Sequence, residues 1–216
     1  FDYNTGILEK GPGYTDTFPH TGANFWKDWE RPVHFEYVDE NGVAQLEFNA
    51  GVKVFGQYSR AMDQKSLSIN LRDRYGPKEF CYPLFGQDAA TNVYSELVLR
   101  NAGQDGSHAH LRDAFVARTI KGQADVDFMD YRPVVVYING EYYGLYDLRE
   151  KICESYVSNR TGADEDTIDM IKGESILMSG SLTAYKELLQ YVKTHDLSKQ
   201  ENYDHVASLV DVDELI

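Results

Sequence analysis

The dipeptide Asn139-Gly140 stands between two strand-like runs, Pro133 to Ile138 (PVVVYI) and Tyr142 to Tyr146 (YYGLY), and leaves this stretch of chain little local choice. Both flanks are rich in β-branched and aromatic residues, which suit a pleated, half-buried surface. Asn-Gly supplies the two positive-φ positions of a type I′ turn, whose twist matches that of paired antiparallel strands. A β-hairpin is therefore predicted here. A second is predicted from Val33–Val38 and Val43–Phe48, which alternate on either side of the turn signal Asp39-Glu40-Asn41-Gly42. Gly51–Gly56 and Lys65–Leu71 read as two further strands joined by the polar loop Gln57–Gln64, and Glu96–Arg100 reads as a short buried strand.

Helical spacing comes later. His108–Lys121 carries Leu111, Ala114, Phe115 and Ile120 on one side with Gly122 as a stop, and Glu150–Asn159 reads as a second helix. Ile168–Lys172 reads as a short strand. Ser181 is placed to cap a helix bearing Leu182, Tyr185, Leu188, Leu189 and Val192; Tyr203, Val206, Leu209 and Val210 suggest another, and Asp211–Ile216 resembles the acidic first turn of a third. Strands first and helices afterwards give an α+β fold. The opening, residues 1–32, has no sustained period but many aromatics, and is expected to be an ordered loop-like lead-in docked on the body.

With 42% apolar and 13% aromatic residues the chain can bury a core unaided. A net charge of −14 excludes a general nucleic-acid binder, and no run approaches the roughly 20 apolar residues of a membrane span. The charge is unevenly placed: six bases face two acids between Lys53 and Lys78, whereas fourteen acids face six bases from Glu150 onward. A basic strip in an acidic chain suits a compact anion such as a nucleotide triphosphate, or else answers acids elsewhere in the fold. Ser59 and Arg60 lie in that strip on a loop between strands, with Lys65 entering the second strand, where hydroxyl, guanidinium and ammonium groups can wrap phosphate oxygens.

Other motifs are weaker. His108-Ala109-His110 has a metal-site spacing but also suits a solvated helix start. Asp164-Glu165-Asp166 reads as an acidic loop, and Asn159-Arg160-Thr161 matches a glycosylation sequon. Cys81 and Cys153 either pair or remain two buried thiols.

Four blocks carry a family resemblance. Gly51 to Arg60 (GVKVFGQYSR), followed by Gln64-Lys65-Ser66-Leu67, Tyr75-Gly76 and Tyr82-Pro83-Leu84-Phe85, forms the first; Leu99 to Asp105 (LRNAGQD), the second; Arg112-Asp113-Ala114, the third; and Tyr137 to Ile152 (YINGEYYGLYDLREKI), the fourth. Together they resemble the CotH (spore-coat protein H) kinase-like family, in its secreted bacterial branch. The resemblance implies a degenerate protein-kinase-like fold, with a β-rich lobe over about 33–148 and the start of a helical lobe over about 149–216. It implies ATP and Mg²⁺ or another divalent metal as cofactors, a secreted or surface protein as phosphoryl acceptor, and an extracellular location. It makes Ser59, Arg60 and Lys65 nucleotide contacts and Glu150 the partner of a basic residue in the cleft. The family's catalytic and metal-binding acids are expected beyond Ile216, so the chain as it stands is expected to be inactive. The rival reading is a surface module that binds a polysaccharide or a protein through its Tyr and Trp residues.

Overall fold

The structure, a computed structural model, describes residues 1–124, 126–173 and 175–215. The chain divides into two compact units, Phe1–Thr119 with Met129–Ile152, and Ile120–Phe128 with Cys153–Ile216.

The larger unit is built on β1 (Arg31–Val38), β2 (Ala44–Phe55), β3 (Ser66–Asn70), β4 (Phe80–Cys81), β5 (Val93–Tyr94), β6 (Glu96–Arg100), α1 (Arg112–Ile120, all but its last residue), β7 (Tyr131–Ile138) and β8 (Glu141–Glu150). Six strands form one antiparallel sheet in the order β1-β2-β3-β6-β8-β7, while β4 and β5 pair separately. The sheet curls: Arg132 on the β7 edge donates to the Tyr37 hydroxyl on the β1 edge and stacks over its ring. Its inner face carries Phe48, Ala50, Val52, Val54, Leu67, Ile69, Leu97, Leu99, Tyr146 and Leu148, all buried. Phe35, Phe48, Phe80 and Tyr94 run through this core as a chain of ring contacts at 4.9, 5.2 and 5.4 Å.

The Asn139-Gly140 hairpin forms as the sequence predicts. Asn139 has φ 53° and Gly140 φ 80°, and a bulge between Val136 and Tyr137 shifts the register once. The β1–β2 turn is held by the Asp39 carboxylate, which accepts the backbone N–H of Asn41 and of Val43, each at 2.9 Å.

Two predicted strands, 43–48 and 51–56, prove to be one. β2 pairs with β1 as far as Val52 and with β3 from Gly51 onward, so a single strand serves two neighbours in succession. Helix α1 starts later than predicted, because the Asp105 carboxylate captures the N–H groups of Leu111 and Arg112 at 3.0 and 3.1 Å and holds the preceding residues in turns. The buried face of α1 is Ala114 and Ala117; Leu111 and Phe115 are exposed. Burial raises the Asp105 pKa, but the N–H bonds from Arg112, Ala109 and Leu111 outweigh it and leave the carboxyl below its ordinary value.

The lead-in is ordered around Asn24, which is fully buried. Its side-chain amide donates to the carbonyls of Tyr3, Asn4 and Gly6 at 3.1 to 3.2 Å, and its backbone N–H bonds Lys10 O at 2.9 Å. Phe25 follows directly and enters the core.

The smaller unit contains α2 (Glu154–Thr161), β9 (Met170–Lys172), β10 (Ile176–Ser179), α3 (Thr183–Thr194), α4 (Gln200–Ala207) and α5 (Val212–Leu215). The helix predicted from Glu150 begins at Glu154 instead, since the β8 ladder keeps Glu150 opposite Leu97. Gly162, with φ 74°, ends α2 in the left-handed conformation, and its N–H bonds Ser158 O at 2.8 Å. Ser181 Oγ accepts the Thr183 N–H at 3.0 Å at the start of α3. Leu182, Tyr185, Leu188 and Tyr191 are half-buried, one turn apart; Tyr191 bonds Asn202 at 3.2 Å and packs on His205. The predicted turn at 211–216 is helical through Leu215, and Ile216 lies outside the described residues. No helix among the described residues is long and apolar enough to cross a membrane.

Phe48 stacks between Phe35 and Phe80, so its truncation leaves a void the rigid sheet cannot close. Phe48→Ala should destabilise the larger unit by about 3–5 kcal/mol, read as a lower denaturation midpoint by near-ultraviolet circular dichroism.

Candidate functional site

The four residues singled out in the sequence are not brought together as one cluster. Ser59 and Arg60 lie on the short 3-10 turn Tyr58–Ala61. Arg60 bends back, its Nε donating to Gly56 O at 2.6 Å and Nη1 to Phe25 O at 3.4 Å. Lys65 precedes β3 and is 6% exposed; its Nζ donates to Met62 O at 2.7 Å and lies 4.5 Å from the centre of the Phe25 ring. Burial holds the Lys65 ammonium below its usual pKa, against the opposing charges of Asp63 and Glu9. Glu150 is 2% exposed, and its Oε2 accepts the backbone N–H of Asp130 at 2.9 Å. Glu150 is level with Leu97 and hence with Ile69, so Lys65 is displaced from it by about 13 Å along the strand direction.

Strand parity explains this arrangement. Along β3 the side chains of Leu67 and Ile69 enter the core, and Lys65, two residues earlier, shares their side. Ser66, Ser68 and Asn70 project from the other face and are likewise buried. That outer face continues through Glu96, Val98 and Arg100 on β6 and through Asp147 and Arg149 on β8, which alternate with the core residues Leu97, Leu99, Tyr146 and Leu148.

A polar network covers this outer face. Ser66 Oγ donates to Asn101 Oδ1 at 2.7 Å, and Asn101 Nδ2 donates to Gln64 O at 2.5 Å, tying the 57–64 loop to the end of β6. At the opposite end Lys151 bonds Glu96 at 2.6 Å and Asn70 at 3.4 Å, while Glu30 accepts from Asn70, Arg72 and Arg74. Between them lies a cationic pair. Arg100 Nε is 2.5 Å from Asp113 Oδ2 on α1, and Arg149 Nη1 reaches the same oxygen at 3.4 Å.

Two guanidinium groups thus share one carboxylate. Arg149 is 3% exposed, and its Nε is buried with no hydrogen-bond partner among the described residues. Burial works against the Arg149 cation, and Asp113 partly restores it. Asp147 lies nearby, and burial raises its pKa against the opposing influence of Arg149 and His110. An orphaned buried donor beside two guanidinium groups is the arrangement that a phosphate or carboxylate oxygen completes. The sequence carried a signal for this pair that went unread: Arg100, Asp147 and Arg149 each alternate with large apolar residues and so fall on a face of their own.

The remaining candidates have structural partners. His108 Nδ1 is 3.1 Å from Ser107 Oγ, and His110 adopts φ 60° in the turn before α1. Asp164 caps the 3-10 turn Glu165–Thr167 by accepting the Asp166 N–H at 3.1 Å. Cys81 is exposed and Cys153 half-buried; both are free thiols, and Cys153 Sγ is 3.2 Å from Ser155 Oγ. Among the described residues no three His, Cys, Asp or Glu side chains group as metal ligands.

An antiparallel sheet with a buried, cation-bearing polar face is a scaffold for holding an anion. The sequence profile described as CotH kinase protein matches residues 52–216, and the chain belongs to that family. No curated protein matches the chain.

Because burial raises the pKa of Asp147 above its ordinary 3.8, the proton is held more tightly in the folded state. The stability tied to this group is present below the unfolded value and is lost as pH rises through the folded one. Asp147→Asn should therefore raise the thermal midpoint near neutral pH, with the gap from wild type closing toward pH ~4. A gap that does not change with pH would show that Arg149 already neutralises the cost.

Proposed function

We propose that the larger unit is the nucleotide-binding part of an ATP-dependent phosphotransferase, and that Arg149 and Arg100, held by Asp113, contact the phosphates. The observation that carries this reading is the buried Arg149 Nε, without a hydrogen-bond partner among the described residues, in a guanidinium pair with Arg100 that shares the Asp113 carboxylate. In protein kinases a covering loop joins two strands, and a lysine on the next strand pairs with a helix glutamate to hold the phosphates. Here the 57–64 loop joins β2 to β3, the next strand of the sheet is β6, and its terminal Arg100 pairs with Asp113 on the helix that follows. Arg in place of Lys favours bidentate contact with phosphate oxygens.

In this reading Ser59 belongs to the covering loop. Arg60 and Lys65 act through Phe25 and the loop backbone rather than at the phosphates. A divalent cation bound with the nucleotide would supply positive charge to offset that of the phosphates. The family membership supports a phosphoryl transfer of the atypical kinase kind; a secreted or surface protein as acceptor, and action outside the cell, are parts of the same proposal.

Calorimetry with MgATP on the intact protein tests it. Arg149→Met should weaken binding about tenfold or more, Asp113→Asn should weaken it less, and Arg149→Lys should recover part of the loss while circular dichroism confirms folding. Unchanged affinity in both Arg149 variants, together with loss in Lys65→Met, would move the nucleotide to the Lys65 side of the sheet and end this assignment.

A further inference from the structure

The lead-in and the 57–65 segment enclose a second recess of about 360 Å³, with Phe25 in its wall on the core-facing side. Its walls are held in place beforehand. Asn24 ties the segment containing Tyr3 to the chain near Lys10, and Arg60 holds the Phe25 carbonyl. The volume falls at the lower end of the ~300–1,000 Å³ typical of small-molecule sites.

The lining is electrically balanced. Lys10 and Lys65 bring two ammonium groups, Glu9 and Asp63 bring two carboxylates, and His20 adds an imidazole. Lys10 and Asp63 are exposed, and hydrogen bonds from these groups to the rest of the protein are few among the described residues. Lys65 Nζ uses one of its three N–H donors, on Met62 O. Among the described residues, the Lys10 ammonium makes only a cation–π contact, 5.1 Å from the Tyr14 ring centre, and the carboxylates of Glu9 and Asp63 accept no hydrogen bond. The half-buried Tyr14 and the exposed Tyr3 supply aromatic surface at the same recess.

Each class of simple ion is disfavoured by half of this lining. An anion would meet two carboxylates, and a cation would meet two ammonium groups. A hydroxyl group donates to the first and accepts from the second, and the C–H face of a sugar ring packs on tyrosine. We infer that this recess binds the end of a glycan, one or two sugar rings deep, independently of any nucleotide on the Arg149 face.

The test is calorimetry and saturation-transfer NMR on the intact protein with cellobiose, maltose, xylobiose and N,N′-diacetylchitobiose. Inorganic phosphate and MgATP serve as comparison ligands. At least one disaccharide should bind, and Tyr3→Ala, Asp63→Asn and Lys65→Met should each weaken it about ten- to a hundredfold. Tyr3→Ala and Asp63→Asn alter exposed side chains, so neither depends on the core tolerating a change, and both should leave MgATP affinity unchanged. The inference is overturned if no disaccharide of the panel binds, if Tyr3→Ala and Asp63→Asn leave binding as it was, or if inorganic phosphate displaces the sugar.

Discussion

The register that joins β3, β6 and β8 decides what each side chain of the larger unit can do. With Leu67 opposite Leu99 and Leu99 opposite Leu148, every second residue enters the core, and its neighbours are committed to the outer face. A shift of one residue would move Arg100 and Arg149 into the aromatic core and turn Leu99 and Leu148 outward. The Phe35–Phe48–Phe80–Tyr94 ring chain resists that shift, because it fills the inside of a sheet already curled far enough for Arg132 to reach Tyr37. Packing on one face thus fixes the electrostatics of the other.

That separation gives the two candidate sites different characters. On the outer face two guanidinium groups lean on one carboxylate, Asp113, and burial raises the pKa of the next acid, Asp147. In the recess beside Phe25, ammonium and carboxylate groups stand in equal number, with Asp63 and Glu9 acting on the Lys65 charge. We propose an anion for the first arrangement and, for the second, a ligand that can donate and accept at once. Net charge, so negative across the chain, predicts neither.

Local signals in the sequence were reliable where the structure they describe is itself local. Asn139-Gly140 and the Asp39 turn each depend on atoms a few residues apart, and each forms as read; Ser181 accepts the Thr183 N–H just ahead of α3, whose N-cap is Leu182. The continuity of β2 was not legible, because it rests on β1 and β3 taking over from one another along the strand. The start of α1 was hidden by Asp105, whose carboxylate competes for the helix's first N–H groups. Lys65 drew attention as a cation in a basic strip, although its alternation with Leu67 and Ile69 already placed it on the apolar side. The site on the outer face needed three distant segments, ending at Arg100, Asp113 and Arg149, to converge on one oxygen, and no spacing within any of them records that meeting.

The family match opens at Val52, a position in the interior of β2 where the strand is passing from one neighbour to the other. Trimming the protein to the matched region would sever a single backbone ladder halfway. Phe80 would lose the ring of Phe48, Lys65 would lose the cover of Phe25, and Val52 would keep Ile69 of β3 but lose Arg31 of β1. The matched region thus leaves out β1 and most of β2, and with them the Phe35–Phe48 part of the core.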